Sequence, residues 1–166
     1  MKRLSIILVL IFQYFFSSSQ GSREIIRFVS ANPFSFNDII DNLENQESQE
    51  VFGKLTFPDD SAHLNKKYPL IIGVAGSLGW ADHHFEYMKM YRDMGIATFE
   101  LNSFQSRDVT STVGTQVEVT TASMILDAYI EPLRNYLNTL ELIVIEYQLQ
   151  VGVLEEGLLC FLHGYR

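Results

Sequence analysis

Residues 68–80 read YPLIIGVAGSLGW, and the fold turns on how this stretch is read. Leu70-Ile71-Ile72-Gly73-Val74 is a short, unbroken apolar segment that follows a proline. An apolar run of this length bounded by turn residues predicts a buried strand of the kind found in parallel sheets. Ala75-Gly76-Ser77-Leu78-Gly79 then breaks the run with small residues. A turn of that composition lets the backbone approach a ligand closely and aim bare N–H groups at it. Strand, glycine turn and helix in succession form a site for an anion or an oxyanion.

The sequence on either side supplies a partner strand and a covering helix. Downstream, residues 82–94 predict a helix capped by Asp82, with Phe85, Met88, Tyr91 and Arg92 at mostly helical spacing and Gly95 as its stop. Residues 96–101 predict the next strand, which completes a right-handed βαβ unit. The polar stretch 102–119 then lies at the carboxyl end of that strand, where α/β folds place ligands. Thr120 and Thr121 open a further helix, whose apolar spacing Pro132 kinks or restarts. Upstream, residues 23–30 fit a short strand or a lead-in, and Ser35 opens a short helix. Residues 42–50 read as a solvated loop. Residues 51–57 alternate, with Val51, Gly53, Leu55 and Phe57 on one face, and predict an outer antiparallel strand ending at Pro58.

Composition narrows the function classes. The chain has 166 residues, enough for one domain, and is 47% hydrophobic, enough for a core. A formal net charge of -8 argues against nucleic acid and against an anionic membrane surface as partners. The single cysteine, Cys160, excludes an internal disulfide. Residues 1–20 read as a signal peptide: Lys2 and Arg3, an apolar run from Leu4 to Phe16, then small residues for cleavage. The run is shorter than the ~20 apolar residues of a membrane span. A secreted or periplasmic protein is expected, with an uncleaved anchor as the alternative.

Several segments in this order resemble the dienelactone hydrolase branch of the α/β-hydrolase superfamily. They are residues 68–80, His84-Phe85-Glu86-Tyr87, Gly95-Ile96-Ala97-Thr98-Phe99, Asn102-Ser103-Phe104, residues 107–113, Gln116, Val119-Thr120 and residues 124–129. The resemblance runs from about residue 34 to residue 137. It implies an α/β fold, a partial α/β-hydrolase fold here, with a mostly parallel sheet flanked by helices. It also implies a Ser- or Cys-His-Asp triad acting on a small-molecule ester or lactone, without metal or cofactor. One oxyanion donor would come from the loop after the strand at 70–74. Gly76, Ser77 and Leu78 are the candidates. The family has His-Gly where this chain has Ala75-Gly76. A backbone contact survives that change, but the loop's shape need not.

Other residues invite chemistry of their own. Asp82-His83-His84 suggests a metal, but adjacent histidines on a helix point about 100° apart. A helix N-terminus near the mouth of the site is the preferred reading, with His84 bordering the substrate pocket. Arg107 fits either a carboxylate on the substrate or a salt bridge that pins its loop. Asp127 reads as a solvated or capping residue. Cys160 has no glycine elbow around it and is not expected to be a nucleophile.

The family's catalytic core should follow residue 140. Residues 21–140 thus read as the N-terminal part of a hydrolase domain, and residues 141–166 as a tail foreign to it. Those residues, ELIVIEYQLQVGVLEEGLLCFLHGYR, hold no Gly-x-Ser-x-Gly and no aspartate, and His163 is the sole histidine. No catalytic nucleophile, acid or base is therefore assigned within the chain. Read from the third base of each codon, the tail can spell Arg-Ile-Ser-Ile-Thr-Gly-Trp-Ser-x-Gly-Gly, a family-like strand and elbow. This predicts a frameshift between about residues 137 and 144. Taken in its own frame, the tail reads as an apolar strand at 142–149 and a short helix at 155–162.

Two functions follow. One is an exported acyl hydrolase represented by its N-terminal half and inactive as written. The other is a secreted, non-catalytic binding or interaction protein on a partial hydrolase scaffold. A sheet cut off there should expose a strand edge and apolar surface.

Overall fold

In a computed structural model of the chain, which describes residues 23–59, 68–139, 145–146 and 159–164, the apolar run at 68–80 begins as strand β3 (Leu70–Val74). All five of its residues are buried. Helix α2 (Asp82–Asp93) carries the chain to strand β4 (Ala97–Leu101), which lies beside β3 in parallel register, Leu70 against Ala97 and Val74 against Leu101. α2 ends as its sequence predicts. Gly95 takes φ 83°, the Gly95 N–H reaches the Arg92 carbonyl at 2.9 Å, and the Ile96 N–H reaches the Tyr91 carbonyl at 3.1 Å. That pair of bonds satisfies the last carbonyls of the helix and needs a residue tolerant of positive φ. At its start Ala81 is the cap and Asp82 the first helical residue, where a carboxylate suits the helix dipole.

Upstream, strands β1 (Arg23–Ala31) and β2 (Ser48–Thr56) pair antiparallel over their whole lengths. Between them lie the short helix α1 (Phe36–Asp41) and a 3₁₀ turn at Leu43–Asn45. Ser35 opens α1, and the Asp38 carboxylate accepts the Ser35 N–H at 2.8 Å and its hydroxyl at 2.9 Å. The alternation seen at 51–57 is real, with Val51, Gly53 and Leu55 buried. β2 is not the outer strand, however. It lies between β1 and β4, begins at Ser48, and so absorbs part of the loop expected at 42–50.

The sheet order is β1-β2-β4-β3, extended past β3 by β6 (Leu159–Gly164) and β5 (Ile145–Glu146). It is mixed, not mostly parallel. Among the described residues only β3 and β4 run parallel, and every other neighbouring pair is antiparallel. A parallel neighbour needs a crossover of a dozen or more residues. Among the described residues, α2 alone provides one between adjacent strands. The helix expected at 155–162 is not found over 159–162, which are strand.

Helices cover both faces. Helix α3 (Thr121–Tyr129) and helix α4 (Glu131–Thr139) pack Ala128, Leu133 and Leu137 onto Ile26, Phe28, Val51, Leu55, Leu70, Ile72, Phe99 and Leu101. Each fully buried side chain of this kind contributes about 1.5–3 kcal/mol by leaving water. The helical pattern restarts rather than kinks: Ile130 is extended at φ -63°, ψ 141°, and Pro132 sits in the first turn of α4, where its missing N–H costs nothing. On the other face α2 inserts Met88, which is fully buried. A Cβ at Gly73 would lie 2.3 Å from the Met88 methyl and 3.0 Å from the Trp80 ring. The glycine that interrupts the apolar strand is therefore the space into which α2 and Trp80 settle. The predicted signal segment 1–20 and the junction at residue 140 lie outside the described residues.

Candidate functional site

The carboxyl ends of β3 and β4, the two parallel strands, open into a cavity of about 160 Å³. One wall is the β3 end and its turn: Val74, Ala75, Leu78, Gly79 and Trp80. The other is the β4 end and the loop after it: Leu101, Asn102, Ser103, Phe104 and Val109, among others. Met124 of α3 completes the lining. This is the ligand position expected of a βα-type sheet.

The β3 wall is a tight turn. The Gly79 N–H donates to the Gly76 carbonyl at 2.8 Å, which leaves Ser77 and Leu78 as its two central residues. Gly79 has φ 75°, and a Cβ there would lie 3.3 Å from the Thr110 carbonyl oxygen. Both facts call for glycine at this position. The Ser77 carbonyl accepts the Thr112 N–H at 2.8 Å and the Ser111 hydroxyl at 3.0 Å, which ties the turn to the facing loop. The N–H groups of Ser77 and Leu78 donate no hydrogen bond among the described residues. Of the three oxyanion candidates, Leu78 lines the cavity, while Gly76 and Ser77 do not. Ala75 and Gly79, on either side, do.

The β4 wall is held by its own network. The Ser106 hydroxyl donates to the Asn102 carbonyl at 2.7 Å and accepts the Phe52 N–H at 3.1 Å, which fixes the 3₁₀ turn at Gln105–Arg107 against β2. Trp80 bridges the walls: its indole N–H donates to the Leu101 carbonyl at 3.0 Å, and its ring stacks on Phe85 with centroids 5.6 Å apart. Ser103 is 3% exposed and its hydroxyl has no partner among the described residues. A buried hydroxyl without a partner costs about 1–3 kcal/mol.

His84, the expected pocket border, stands behind Trp80 instead, with ring centroids 5.8 Å apart, and does not line the cavity. Its position in the first turn of α2 folds the ring back onto the helix start, where Nδ1 accepts the Ala81 N–H at 3.0 Å. An imidazole that accepts at Nδ1 is neutral and carries its proton on Nε2. The rings of His83 and His84 contact edge to face at 3.9 Å, and no group of three metal-ligating side chains gathers among the described residues.

Arg107 takes the loop-pinning role of its two alternatives. It forms a buried salt bridge to Asp127 at 2.7 Å, with side-chain exposures of 4% and 0%. Nε donates to the Asn32 side chain at 2.7 Å, Nη1 also to the Ser103 carbonyl at 3.1 Å, and Nη2 to the Ala31 carbonyl at 3.0 Å and to Asp127 at 3.1 Å. Asp127 is correspondingly neither solvated nor a cap, and it accepts the Ser30 hydroxyl at 2.5 Å besides. Trp80, Ser103, Phe104 and Val109 were not singled out as site residues. The signal available for them was their place in the turn and in the loop at the carboxyl ends of β3 and β4. The strand expected to carry a nucleophile is not among these elements, and the neighbour of β3 on that side is β6.

No protein-family model, curated protein or solved structure matches this chain.

Proposed function

We propose that this chain carries the oxyanion side of an exported acyl hydrolase of the dienelactone hydrolase type, and that its 166 residues lack the nucleophile that would complete the site. The turn after β3 supports this reading best. In α/β-hydrolases one oxyanion donor is an N–H from the loop between the third strand and the following helix. Here β3 is third in chain order among the described strands and α2 follows it. The intervening turn has Ser77 and Leu78 N–H groups with no acceptor among the described residues, and Leu78 lines the cavity.

The chemistry would be attack of a serine hydroxyl on an ester carbonyl, with the developing oxyanion accepting from Leu78 or Ser77. One such preorganised donor is worth about 10²–10³ in rate. The second donor and the serine belong to a Gly-x-Ser-x-Gly elbow, which this sequence lacks in its own frame and can spell in the third-base frame from codon 145. The coding sequence across residues 137–166 tests the proposal first: a third-base frame that does not encode Gly-Trp-Ser ends it. The second test is covalent. A fluorophosphonate should label the frame-restored protein on serine and leave the 166-residue chain unlabelled. Labelling of the 166-residue chain would overturn the assignment of its missing nucleophile.

A further inference from the structure

The cavity between β3 and β4 has a lining that restricts what it can hold. Among the described residues that line it there is no Asp, Glu, Lys, Arg or His. Its walls are set by Trp80, Phe104, Leu101, Val109 and Met124. A carboxylate entering such a space loses its hydration and meets no side-chain cation in return, and the single neutral Leu78 N–H does not replace that hydration.

The cation nearest in the chain to this wall is Arg107, and it has nothing left to offer. A guanidinium has five N–H donors. Those of Arg107 go to the Asn32 side chain, the Ser103 and Ala31 carbonyls, and twice to Asp127. Turning it toward a substrate would strand Asp127, which is fully buried. Size narrows the guest further. An apolar cavity of about 150 Å³ holds one benzene, and this one is about 160 Å³.

We propose that this cavity recognises an uncharged group of one ring or a short aliphatic chain and that it rejects carboxylated ligands. In the hydrolase reading this group is the acyl portion of a neutral ester. The inference rests on that reading for the reaction and not for the binding.

Trp80 is the only tryptophan in the chain and lines the cavity, so its fluorescence reports occupancy. The 166-residue chain is titrated with benzyl alcohol, with toluene and with benzoate at constant ionic strength and neutral pH. Benzyl alcohol and toluene should give saturable changes, and benzoate none. Ala75→Phe, which fills the space, should abolish both. Benzoate binding as tightly as benzyl alcohol overturns the proposal. So does wild-type Trp80 emission that is that of a solvated indole and does not respond. The two readings fail separately. Benzyl alcohol selectivity with no fluorophosphonate labelling of the frame-restored protein removes the hydrolase and keeps the pocket. Labelling with benzoate preference does the reverse.

Discussion

Arg107 and Asp127 show how one ion pair can stand in for a binding site in a sequence. An arginine in a polar loop beside a ligand-binding edge has the chemistry to hold a carboxylate, and nothing local says otherwise. The deciding partner lies 20 residues away on α3, and the remaining acceptors are the Ala31 carbonyl and the Asn32 side chain at the end of β1 and the Ser103 carbonyl after β4. Asp127 falls on a helix whose apolar pattern surrounds it, so its burial was equally hidden. Asp127→Ala should cost about 3–5 kcal/mol, the penalty for a buried charge left unpaired. The double replacement R107M/D127L should cost much less than the two single changes summed. Urea denaturation midpoints of wild type, R107M, D127L and the double variant check this, and simple additivity would mean that the pair is not coupled. Glu100 makes a second residue-scale case. It is buried on β4, and burial pushes its carboxyl above the usual range against the pull of Lys54, Arg92 and Arg23. The folded state therefore holds this proton more tightly than the unfolded chain does. The stabilisation is complete below the ordinary glutamate pKa and is lost as pH rises through the raised one. Glu100→Gln should flatten that decline in a plot of unfolding free energy against pH, and a slope equal to wild type would refute the assignment.

At the scale of elements, what was legible was local and periodic. The apolar run of β3, the glycine after α2, the alternation in β2 and the threonine before α3 each carry their cause within a few residues. What was not legible was pairing. Nothing in residues 51–57 says that two strands flank them, because a strand buried on one face reads the same at an edge or inside the sheet. The cavity's position was predicted by the rule for parallel strand ends, whereas its lining depended on where Trp80 and Phe104 settle. Capping illustrates the legible kind. Thr120 accepts the Ser123 N–H at 3.0 Å and donates to the Pro33 carbonyl at 2.7 Å, so it starts α3 and fastens it to the segment after β1. Thr120→Val keeps the shape and removes both bonds. A loss of about 1–2 kcal/mol is expected, recovered in large part by Thr120→Ser, with urea midpoints as the measure. Gly79→Ala belongs to the same scale. Positive φ alone costs an L-residue about 1–2 kcal/mol, and the Thr110 carbonyl oxygen adds crowding. This change should lower the thermal midpoint and weaken benzyl alcohol binding together. Altered binding at unchanged stability would show that the turn relaxes freely.

At the scale of the molecule, the strand edge that the sequence led us to expect bare is paired. β6 lies antiparallel along β3, from Leu70 opposite His163 to Val74 opposite Leu159. Antiparallel pairing needs no crossover helix, so any nearby segment of high β propensity can satisfy the row of N–H and C=O groups that an open edge presents. This reconciles a tail proposed to be out of frame with a tail that pairs. It requires a compatible backbone there, not a selected sequence. The consequence is measurable. A chain ending at Thr139 removes β5 and β6 and leaves β3, apolar along its length, with one edge unsatisfied. It should associate in a concentration-dependent manner in sedimentation velocity and bind a dye specific for cross-β structure, while the 166-residue chain does neither at the same concentration. Replacing Ile72 with proline in the shortened chain should not rescue it, because the same residue lies within the β3–β4 pairing as well. Adding back the frame-restored continuation should. A shortened chain that stays monomeric and dye-negative would mean that β6 protects nothing and that the edge of β3 is covered in some other way.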